Sequence, residues 1–566
     1  MKTKSYKFAA LIALGIVSTP LTSLAETTEQ PVDQSGKKPA NKAAHSLRSL
    51  NNSIKAIVDT LVENKVIDRE QADKIIADAE KKTHSEAQAP QVVEETAPVA
   101  GEKVIRVPYV PEHVKQQIKE EIRSGLREDT VDAVLAQAKQ ERWGMPGVTP
   151  EWVGRIKWKG DMRLRLEQDS FAQSNSADSY LDFQEINRAG GVGKAGVNAF
   201  MNTTEDRQRL RMRARLGMDA KVTDAVKAGF RLTTGSTSDP VSTNQTLGGG
   251  FNRNAVLWDQ AYLRYQGLDA DRYNWLILSG GRMPNPWVGT DLVWDPDLNF
   301  DGLVATYRKN LHGSDSLMDI SEEDRTLFFT VGAFPLQEVA LSTQDKWLFG
   351  AQLGAELIFM NQSVLTFGLG YYSYENIVGV RNSLDSTLTD YTAPQFMQKG
   401  NTVFDIREDA DINSNLMALA SDYKLVDFTA SLDLAQFTPH HLIFTADYVK
   451  NVGFDRQKVE ELTQRSIEEK SAGYQLKFTY GWPHVTERRR WNTSIAYKYL
   501  ERDAVLDAFT DSDFHLGGTD AKGYILGADY GLLENTWVSM RYLSANAIDG
   551  VPLAIDVLQI DINAKF

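Results

Sequence analysis

The sequence predicts an all-β transmembrane antiparallel barrel of about 16 strands, preceded by an N-terminal α-helical and coiled-coil prefix in the periplasm. Three observations lead to this prediction: a secretory signal at the start, a two-residue period of apolar side chains from Trp152 to the last residue, and an alternation of short and long joins between the predicted strands. After the signal, no apolar stretch reaches the roughly twenty residues that a membrane-spanning helix needs.

The first 25 residues have the pattern of a secretory signal peptide. The cationic start contains Lys2, Lys4 and Lys7, an apolar run follows at 8–17, and the small-residue exit ends at Ala25. This apolar run is about half as long as a transmembrane helix. We therefore expect export and removal of residues 1–25.

Composition narrows the class of protein further. The chain has 566 residues, a net charge of -14 and no cysteine, and 10% of its residues are aromatic, including 11 Trp. A negative net charge argues against a nucleic-acid partner, because phosphate binding requires a basic surface. Without cysteine there are no disulfides and no thiolate metal sites. Abundant Trp is typical of proteins with membrane interfaces.

The residues between the signal and the barrel form a predicted periplasmic prefix. In chain order we predict a flexible tether at 26–45, a helical hairpin or coiled-coil segment at 46–86, a Pro/Ala/Glu linker at 87–111, a helical segment at 112–150 and the barrel at 151–566. The coiled-coil prediction rests on a heptad seam of Leu47, Leu50, Ile54, Ile57 and Leu61. This seam fits either a simple helical hairpin or self-association. For the prefix as a whole the alternatives are oligomerisation and anchoring of the barrel to the cell wall.

The two-residue period is clearest in residues 155–168 and 207–218. In the first stretch Trp158 and Leu164 belong to an apolar set, while Arg163 and Arg165 belong to an ionic set at the intervening positions. Five arginines occupy alternate positions of the second stretch. In a transmembrane barrel the ionic face points to a wet lumen and the apolar face meets lipid.

The joins between predicted strands alternate in length. Short joins fall near 222–224, 268–273, 361–362, 439–440, 482–487 and 532–535, and long joins fall at 169–206, 236–254, 284–299, 335–345, 376–413, 453–470 and 503–521. Short turns at one end and long loops at the other are typical of outer-membrane barrels. We count sixteen strands, with residues 416–436 holding either one strand or two.

The last strand carries a separate signature. Phe566 is the terminal residue, and Leu558, Ile560, Ile562 and Ala564 precede it at alternating positions. A terminal aromatic on such a strand resembles the signal by which the outer-membrane assembly machinery takes its substrates. We therefore predict the cell outer membrane as location, its lipid and the barrel assembly machinery as partners, and Phe566 as the assembly signal.

Three motifs carry a resemblance to a known family. They are LVENKVIDREQAD at 61–73, VPYVP at 107–111 and WKGDMRLR at 158–165. With these motifs the chain resembles the putative porin family of Gram-negative outer-membrane β-barrels. The first motif is also similar to the helical prefix of phosphate-selective porins. The resemblance implies a barrel with a periplasmic helical prefix, and it implies no particular binding residue.

Ten basic residues form a candidate lumen surface, here called the basic wall. They are Lys157, Lys159, Arg163, Arg165, Arg209, Arg211, Arg213, Arg215, Lys227 and Arg231. If they share one patch of the lumen they concentrate anions there, which predicts anion preference. The alternative is that they face an acidic loop across the pore, which leaves weak selectivity or none.

The acidic loop in that alternative is residues 284–301, the third long loop. Its candidate residues are Asp291, Asp295, Asp297 and Asp301. This is the loop position at which trimeric porins resemble one another in folding a constriction inward. The two-residue spacing from Asp295 to Asp301 is also similar to the start of a calcium loop. Phe300 and Thr306 stand where that loop needs glycine and glutamate, so we predict no metal.

The predicted function is an outer-membrane porin through which small hydrophilic solutes, including anions, diffuse passively. We expect no cofactor and no catalytic residue, because no spaced set of catalytic side chains is present. The alternative is a structural or adhesive barrel with a closed lumen, whose long loops bind outside partners. A homotrimer is one oligomeric state that the sequence leaves open, since lipid-facing and subunit-facing apolar residues look alike.

Overall fold

The computed structural model describes residues 153–566 apart from 270–272, 312–319, 341, 360–361, 385, 408–410 and 412, and of residues 320–324 it describes only the backbone. The signal peptide, tether, hairpin, linker and helical segment predicted at 1–150 lie outside the described residues and stay predictions. Among the described helices, none is long and apolar enough to cross a bilayer.

The described part of the chain consists mainly of strands. They are β1 (Ile156–Phe171), β2 (Arg207–Lys221), β3 (Val226–Thr233), β4 (Gln245–Thr246), β5 (Leu257–Leu268), β6 (Asn274–Pro284), β7 (Asn299–Asn310), β8 (Ile320–Gln337), β9 (Lys346–Phe359), β10 (Val364–Glu375), β11 (Val403–Asp405), β12 (Met417–Leu419), β13 (Lys424–Phe437), β14 (His440–Asn451), β15 (Ala472–Gly481), β16 (Trp491–Leu500), β17 (Ala521–Leu533), β18 (Thr536–Ala547) and β19 (Ala554–Lys565).

Short helical elements lie in the loops between these strands, and one 3-10 turn precedes β1. The α-helices are α1 (Phe183–Ala189), α2 (Val192–Ala195) and α3 (Arg456–Thr463), and the 3-10 turns are Val153–Arg155, Gly196–Ala199, Asp390–Thr392, Asp507–Phe509 and Phe514–Leu516. The carboxylate of Asp182 caps α1 by accepting from the backbone N–H of Glu185. Gly190, in the left-handed region, ends that helix.

Sixteen of the described strands form a closed antiparallel barrel, and the two-residue β4 pairs with β2 of that sheet. Neighbours along the chain pair with each other, and β1 pairs with β2 on one side and with β19 on the other. Closure leaves the barrel sheet without a free edge. The predicted barrel of sixteen strands is confirmed. The ambiguous stretch at 416–436 contains one barrel strand, β13, because β12 pairs only with β11 in a loop.

Side chains alternate across the barrel wall as the two-residue period predicts. On β1, Trp158 and Leu164 are exposed on the outer face, whereas Arg165 and Glu167 point inward and are each 1% exposed. Exposed aromatic side chains lie near both ends of single strands, such as Trp258 and Tyr265 on β5. An apolar outer band between aromatic ends is the surface that a bilayer requires.

The connections at one end of the barrel are mostly longer than those at the other, as predicted, but the lengths overlap: the turn-side join at 482–490 is longer than the loop-side joins at 338–345 and 548–553. Two connections that the sequence does not reveal complete the pattern: a join between β7 and β8 at the short-turn end, and residues 548–553 at the long-loop end. The latter is missed because it is short for a loop, so its length does not distinguish it from a turn. We call the two ends of the barrel the loop side and the turn side.

The main hydrophobic core lies inside the barrel. Trp287, Leu292 and Trp294 from the loop at 285–298 pack against Phe334 of β8 and Tyr372 of β10, and all are buried. The Trp294 ring centroid is 5.1 Å from that of Tyr372. These side chains fill part of the lumen, and polar cavities remain beside them.

Candidate pore constriction

Six inward-facing arginines on β1 and β2 form what we call the arginine ladder. They are Arg163, Arg165, Arg209, Arg211, Arg213 and Arg215. They share one face because side chains two residues apart on a strand point the same way. The antiparallel register sets Arg163 opposite Arg213 and Arg165 opposite Arg211. Like charges placed directly opposite destabilise a sheet, so this ladder requires nearby carboxylates.

Carboxylates from the same strands supply part of that compensation. Asp161 of β1 accepts from Arg215 at 2.8 Å and from Arg213 at 3.0 Å. Glu167 of β1 forms ion pairs with Arg211 at 3.2 Å and with Arg209. These two acids belong to the ionic face that the sequence reveals. Each bridges two arginines, which holds neighbouring guanidinium groups together despite their repulsion.

Further carboxylates reach the ladder from distant parts of the chain. Asp561 of β19 receives Nε and Nη2 of Arg165 at 2.8 and 2.9 Å. Asp513, from the loop at 501–520, lies 3.1 Å from the same guanidinium. Sequence reasoning missed both partners. For Asp561 a signal was available, because it stands on the inward face of the last strand, which must pair with the first strand in any closed barrel.

The loop at 285–298, which we call the constriction loop, folds into the lumen and crosses to the opposite wall. Its Val288 exchanges two hydrogen bonds with the Gln352 side chain of β9, at 2.9 and 2.7 Å. The hydroxyl of Thr290 donates to Asp447 of β14 at 2.6 Å. Asp291 accepts from Gln475 of β15 at 2.7 Å. The loop is therefore fixed to three strands on the far side.

Asp297 is the acid of the constriction loop that faces the arginine ladder. One of its oxygens lies 3.3 Å from Arg215 and 3.5 Å from Arg213, and the other accepts from the Thr243 hydroxyl at 2.9 Å. Burial favours the protonated acid, but the two guanidinium groups outweigh it and hold the pKa of Asp297 below its usual value. A charged carboxylate therefore faces the cations across the constriction.

Two polar cavities adjoin the ladder. The loop-side cavity, of about 390 Å³, is lined by Arg209 and Arg211, and the turn-side cavity, of about 770 Å³, by Arg163 and Arg213, among others. Ser512 lines both cavities. The arginine ladder thus extends from one side of the constriction to the other, and it forms a continuous polar wall.

A model of the family described as "Putative porin" matches residues 51–566. The chain belongs to this putative porin family. The resemblance noted in the sequence is therefore confirmed, and with the closed barrel it makes the protein an outer-membrane porin by family and architecture. No curated protein matches this porin.

Several solved structures are similar to this porin. OprB of Pseudomonas putida is 12% identical with a TM-score of 0.41, covering 74% of this chain and 96% of its own. DcaP, an outer membrane channel of Acinetobacter baumannii, is 11% identical with a TM-score of 0.36, covering 73% and 97%. OmpT of Vibrio cholerae, in a trimer form, is 10% identical with a TM-score of 0.37, covering 73% and 99%.

Two other acids of the constriction loop have contrasting surroundings in this porin. Asp291 lies 3.5 Å from the Lys498 ammonium; burial opposes ionisation, but this cation holds the pKa of Asp291 well below its usual range. Asp295 accepts backbone N–H groups of Asp297 and Ser512 at 2.8 and 3.0 Å. Burial, together with nearby carboxylates, raises the pKa of Asp295 well above its usual value. Only some of the loop acids therefore contribute negative charge.

Asp301 lies apart from the other predicted loop acids. It belongs to β7, because that strand begins at Asn299, and it pairs with Arg282 at 2.7 Å. Asn299 instead donates to Asp259 at 2.7 Å. The side chains of the calcium-like spacing thus have different partners. Among the described residues, no three acidic, histidine or cysteine side chains form a metal-binding group.

The remaining basic-wall residues lie away from the constriction. Lys157, Lys159 and Lys227 are exposed near the turn side of the barrel, where Lys159 pairs with Asp219 at 2.7 Å. Arg231 of β3 forms an ion pair with Asp259 of β5. The structure therefore divides the ten residues into an arginine ladder at the constriction, three exposed lysines, and one arginine with its own partner.

Proposed function

We propose that this porin lets small hydrophilic solutes diffuse passively along the arginine ladder, past the constriction loop. The observation that carries the proposal is that the ladder lines both polar cavities, with Ser512 common to the two. Charged and hydrogen-bonding side chains along the whole wall replace part of the hydration of a passing solute. No cofactor and no turnover enter this mechanism.

We further propose that this path has weak charge selectivity. The sequence leaves open anion preference or weak selectivity, and the ion pairs favour the second. The ladder arginines contact Asp161, Glu167, Asp169, Asp297, Asp513 and Asp561. Asp161, Glu167, Asp169 and Asp561 lie among the arginines on the wall itself, and Asp297 and Asp513 reach them from loops, so the ladder does not give a net positive lumen. Such a mixed wall does not strongly exclude either sign of ion.

The test is single-channel recording from the refolded mature protein in a planar bilayer under a tenfold KCl gradient. We expect stepwise conductance and a reversal potential well inside the roughly 59 mV that an ideally selective pore reaches. A potential near that limit, with the sign expected of an anion-selective pore, would contradict weak selectivity and support anion preference. A folded protein that stays silent would overturn passive diffusion.

A second candidate function is a structural or adhesive barrel, which the apolar core inside the lumen favours. Trp287, Leu292 and Trp294 are each at most 6% exposed there, so part of the lumen is sealed. This candidate predicts a silent channel and surface binding that is lost when residues 169–206 or 376–413 are trimmed. Insertion of the trimmed barrel, read from its heat-modifiable migration, must stay intact for that result to count.

We propose that residues 26–150 lie in the periplasm, that the barrel assembly machinery recognises Phe566, and that the barrel assembles as a homotrimer. The mass of the detergent-extracted protein distinguishes a trimer from a monomer. Removal of Phe566 should slow assembly into the outer membrane if it is the assembly signal, and unchanged assembly would exclude that role.

A further inference from the structure

A third cavity, which we call the apolar recess, lies on the loop side of the barrel and encloses about 580 Å³. It is bordered by β6 to β9 and by the loops at 172–206, 234–256, 376–423 and 501–520. The apolar part of its lining includes Phe300, Phe334, Leu336, Leu348, Phe396 and Phe509. Phe396 and Met397 also line the loop-side cavity of the ladder. A solute in that polar cavity is therefore next to the recess.

Two of the three cations that line the recess have carboxylate partners. Arg282 pairs with Asp301 at 2.7 Å, and Arg188 pairs with Glu185 at 3.1 Å. These pairs leave little uncompensated charge at their positions. The recess thus has mainly apolar walls with charged groups at a few positions, which is the usual composition of a small-molecule site.

Lys346 is the third cation, and its surroundings differ. Its side chain is buried, with the residue only 3% exposed, and Nζ donates to the backbone carbonyls of Tyr391 and Thr392 at 3.1 and 3.4 Å. Within the described part of the chain, no carboxylate forms an ion pair with it. An ammonium has three N–H donors, so one remains for a further acceptor. A buried charge without a counter-ion is costly, and an incoming anion would lower that cost.

Asp507, the other acid that lines the recess, does not supply this counter-ion at acidic pH. Burial is the main cause that raises its pKa to about 7, the nearby Asp503 adds to the effect, and Lys399 opposes it. Below neutral pH the Asp507 carboxyl is therefore largely protonated. Together with the paired Asp301, this leaves Lys346 as the uncompensated charge among the described recess residues.

We propose that the apolar recess binds a small organic anion, in which one carboxylate contacts the ammonium of Lys346 and an apolar or aromatic body contacts Phe396 and its neighbours. The inference deepens the proposed function, on which it rests for delivery of the solute. A simple inorganic anion would leave the apolar lining unfilled, and a neutral aromatic would leave the ammonium unpaired. Both should bind more weakly than a molecule that combines the two features.

Calorimetric titration of the refolded mature protein with benzoate, at a pH below neutral where the Asp507 carboxyl is largely protonated, tests the site. Acetate lacks the apolar body and benzamide lacks the charge, so each should bind about tenfold more weakly or worse. Lys346→Gln keeps a donor for the carbonyls of Tyr391 and Thr392 and removes the charge, and benzoate affinity should fall about tenfold or more. Equal affinity for benzoate and acetate would overturn the proposal.

Lys194→Gln is the matched control, because Lys194 is an exposed lysine of α2 that lines neither the recess nor the two polar cavities. It makes the same change in net charge and should leave benzoate affinity within about twofold. Phe396→Ser is a second variant that does not touch the buried lysine. It should weaken benzoate and leave acetate unchanged. If Lys346→Gln fails to fold, an unchanged benzoate affinity in Phe396→Ser would still overturn the site.

Conductance separates this inference from the proposed function. If the barrel does not conduct but still binds benzoate, and Lys346→Gln weakens that binding, passive diffusion is wrong and the recess site stands. If the barrel conducts but its benzoate affinity is the same in the Lys346 and Phe396 variants, the recess site is wrong and passive diffusion stands.

Discussion

Gly160 and Phe566 exchange two backbone hydrogen bonds, of 2.8 and 2.9 Å, where the first and last strands of the barrel meet. The Phe566 ring also occupies the space in which a side chain at position 160 would lie. A Cβ there would in addition come within 2.9 Å of the Arg215 carbonyl oxygen on β2. The terminal aromatic thus packs over a residue without a side chain, at one end of the β1–β19 seam.

Replacing Gly160 should therefore weaken the seam. Gly160→Val should cost about 2 kcal/mol of stability, because the ring and the neighbouring strand must both move. The measurement is the temperature at which the detergent-solubilised barrel loses its heat-modifiable migration. Gly154→Ala is the control, since a Cβ at Gly154 meets no atom within 4 Å. Equal stability of the two variants would show that the seam tolerates a side chain.

Removing the Asp297 carboxylate should shift selectivity toward anions. In Asp297→Asn the guanidinium groups of Arg213 and Arg215 lose their partner on the constriction loop, while the amide oxygen can still accept from Thr243. The reversal potential under a KCl gradient should move in the anion direction. Asp219→Asn, at an exposed pair on the turn side, should move it less because solvent and salt screen that site.

Replacing arginines of the ladder should have the opposite effect on selectivity. Replacing Arg211 and Arg213 with Ser should shift the reversal potential toward cations, because Glu167, Asp161 and Asp297 then carry excess negative charge. No shift in either the aspartate or the arginine variants would mean that the ladder does not border the conducting path.

The hydrogen bond between Thr290 of the constriction loop and Asp447 should limit fluctuations of the current through the open channel. Thr290→Val keeps the side-chain shape and removes the hydroxyl that donates to Asp447 at 2.6 Å, leaving only the backbone N–H contact at 3.1 Å. A looser loop should give greater open-channel noise and a larger mean conductance. Thr290→Ser retains the hydroxyl and should behave like the natural protein. Indistinguishable Val and Ser recordings would mean that other contacts hold the loop.

Stability should depend on pH through Asp507. Burial raises the pKa of Asp507 to about 7, above its value in the unfolded chain. Between about pH 4 and 7 the folded state therefore binds more protons than the unfolded state, and the protein loses stability as the pH rises through this interval. Asp507→Asn should leave the thermal midpoint unchanged at pH 4, where the natural side chain is protonated. At pH 8 the free energy of unfolding of this variant should exceed that of the natural protein by roughly 1–3 kcal/mol.

Circular dichroism melts of the detergent-solubilised protein measure this difference. Asp178→Asn, at an exposed loop position, is the control and should show no such pH-dependent gain. An Asp507→Asn variant that is less stable than the natural protein at pH 8 would mean that the carboxylate has a stabilising role.

The sequence by itself determined the barrel and the inward or outward direction of its side chains. The two-residue period is a local property of a strand, so the alternation of Trp158 and Leu164 with Arg163 and Arg165 could be read without knowledge of neighbours. The count of about sixteen strands followed from repeated use of that period, although two of the connections between strands were not identified in the sequence. The resemblance of three short motifs was enough to indicate the family.

The tertiary structure alone decided which charges meet. Asp561 and Asp513 are 396 and 348 residues from Arg165, so only barrel closure and the inward folding of loops bring them into contact. The same folding sets Asp297 against the ladder, places Asp301 on a strand, and buries Lys346 beside an apolar recess. A strand period fixes direction but carries no information on distant partners, and selectivity depends on those partners.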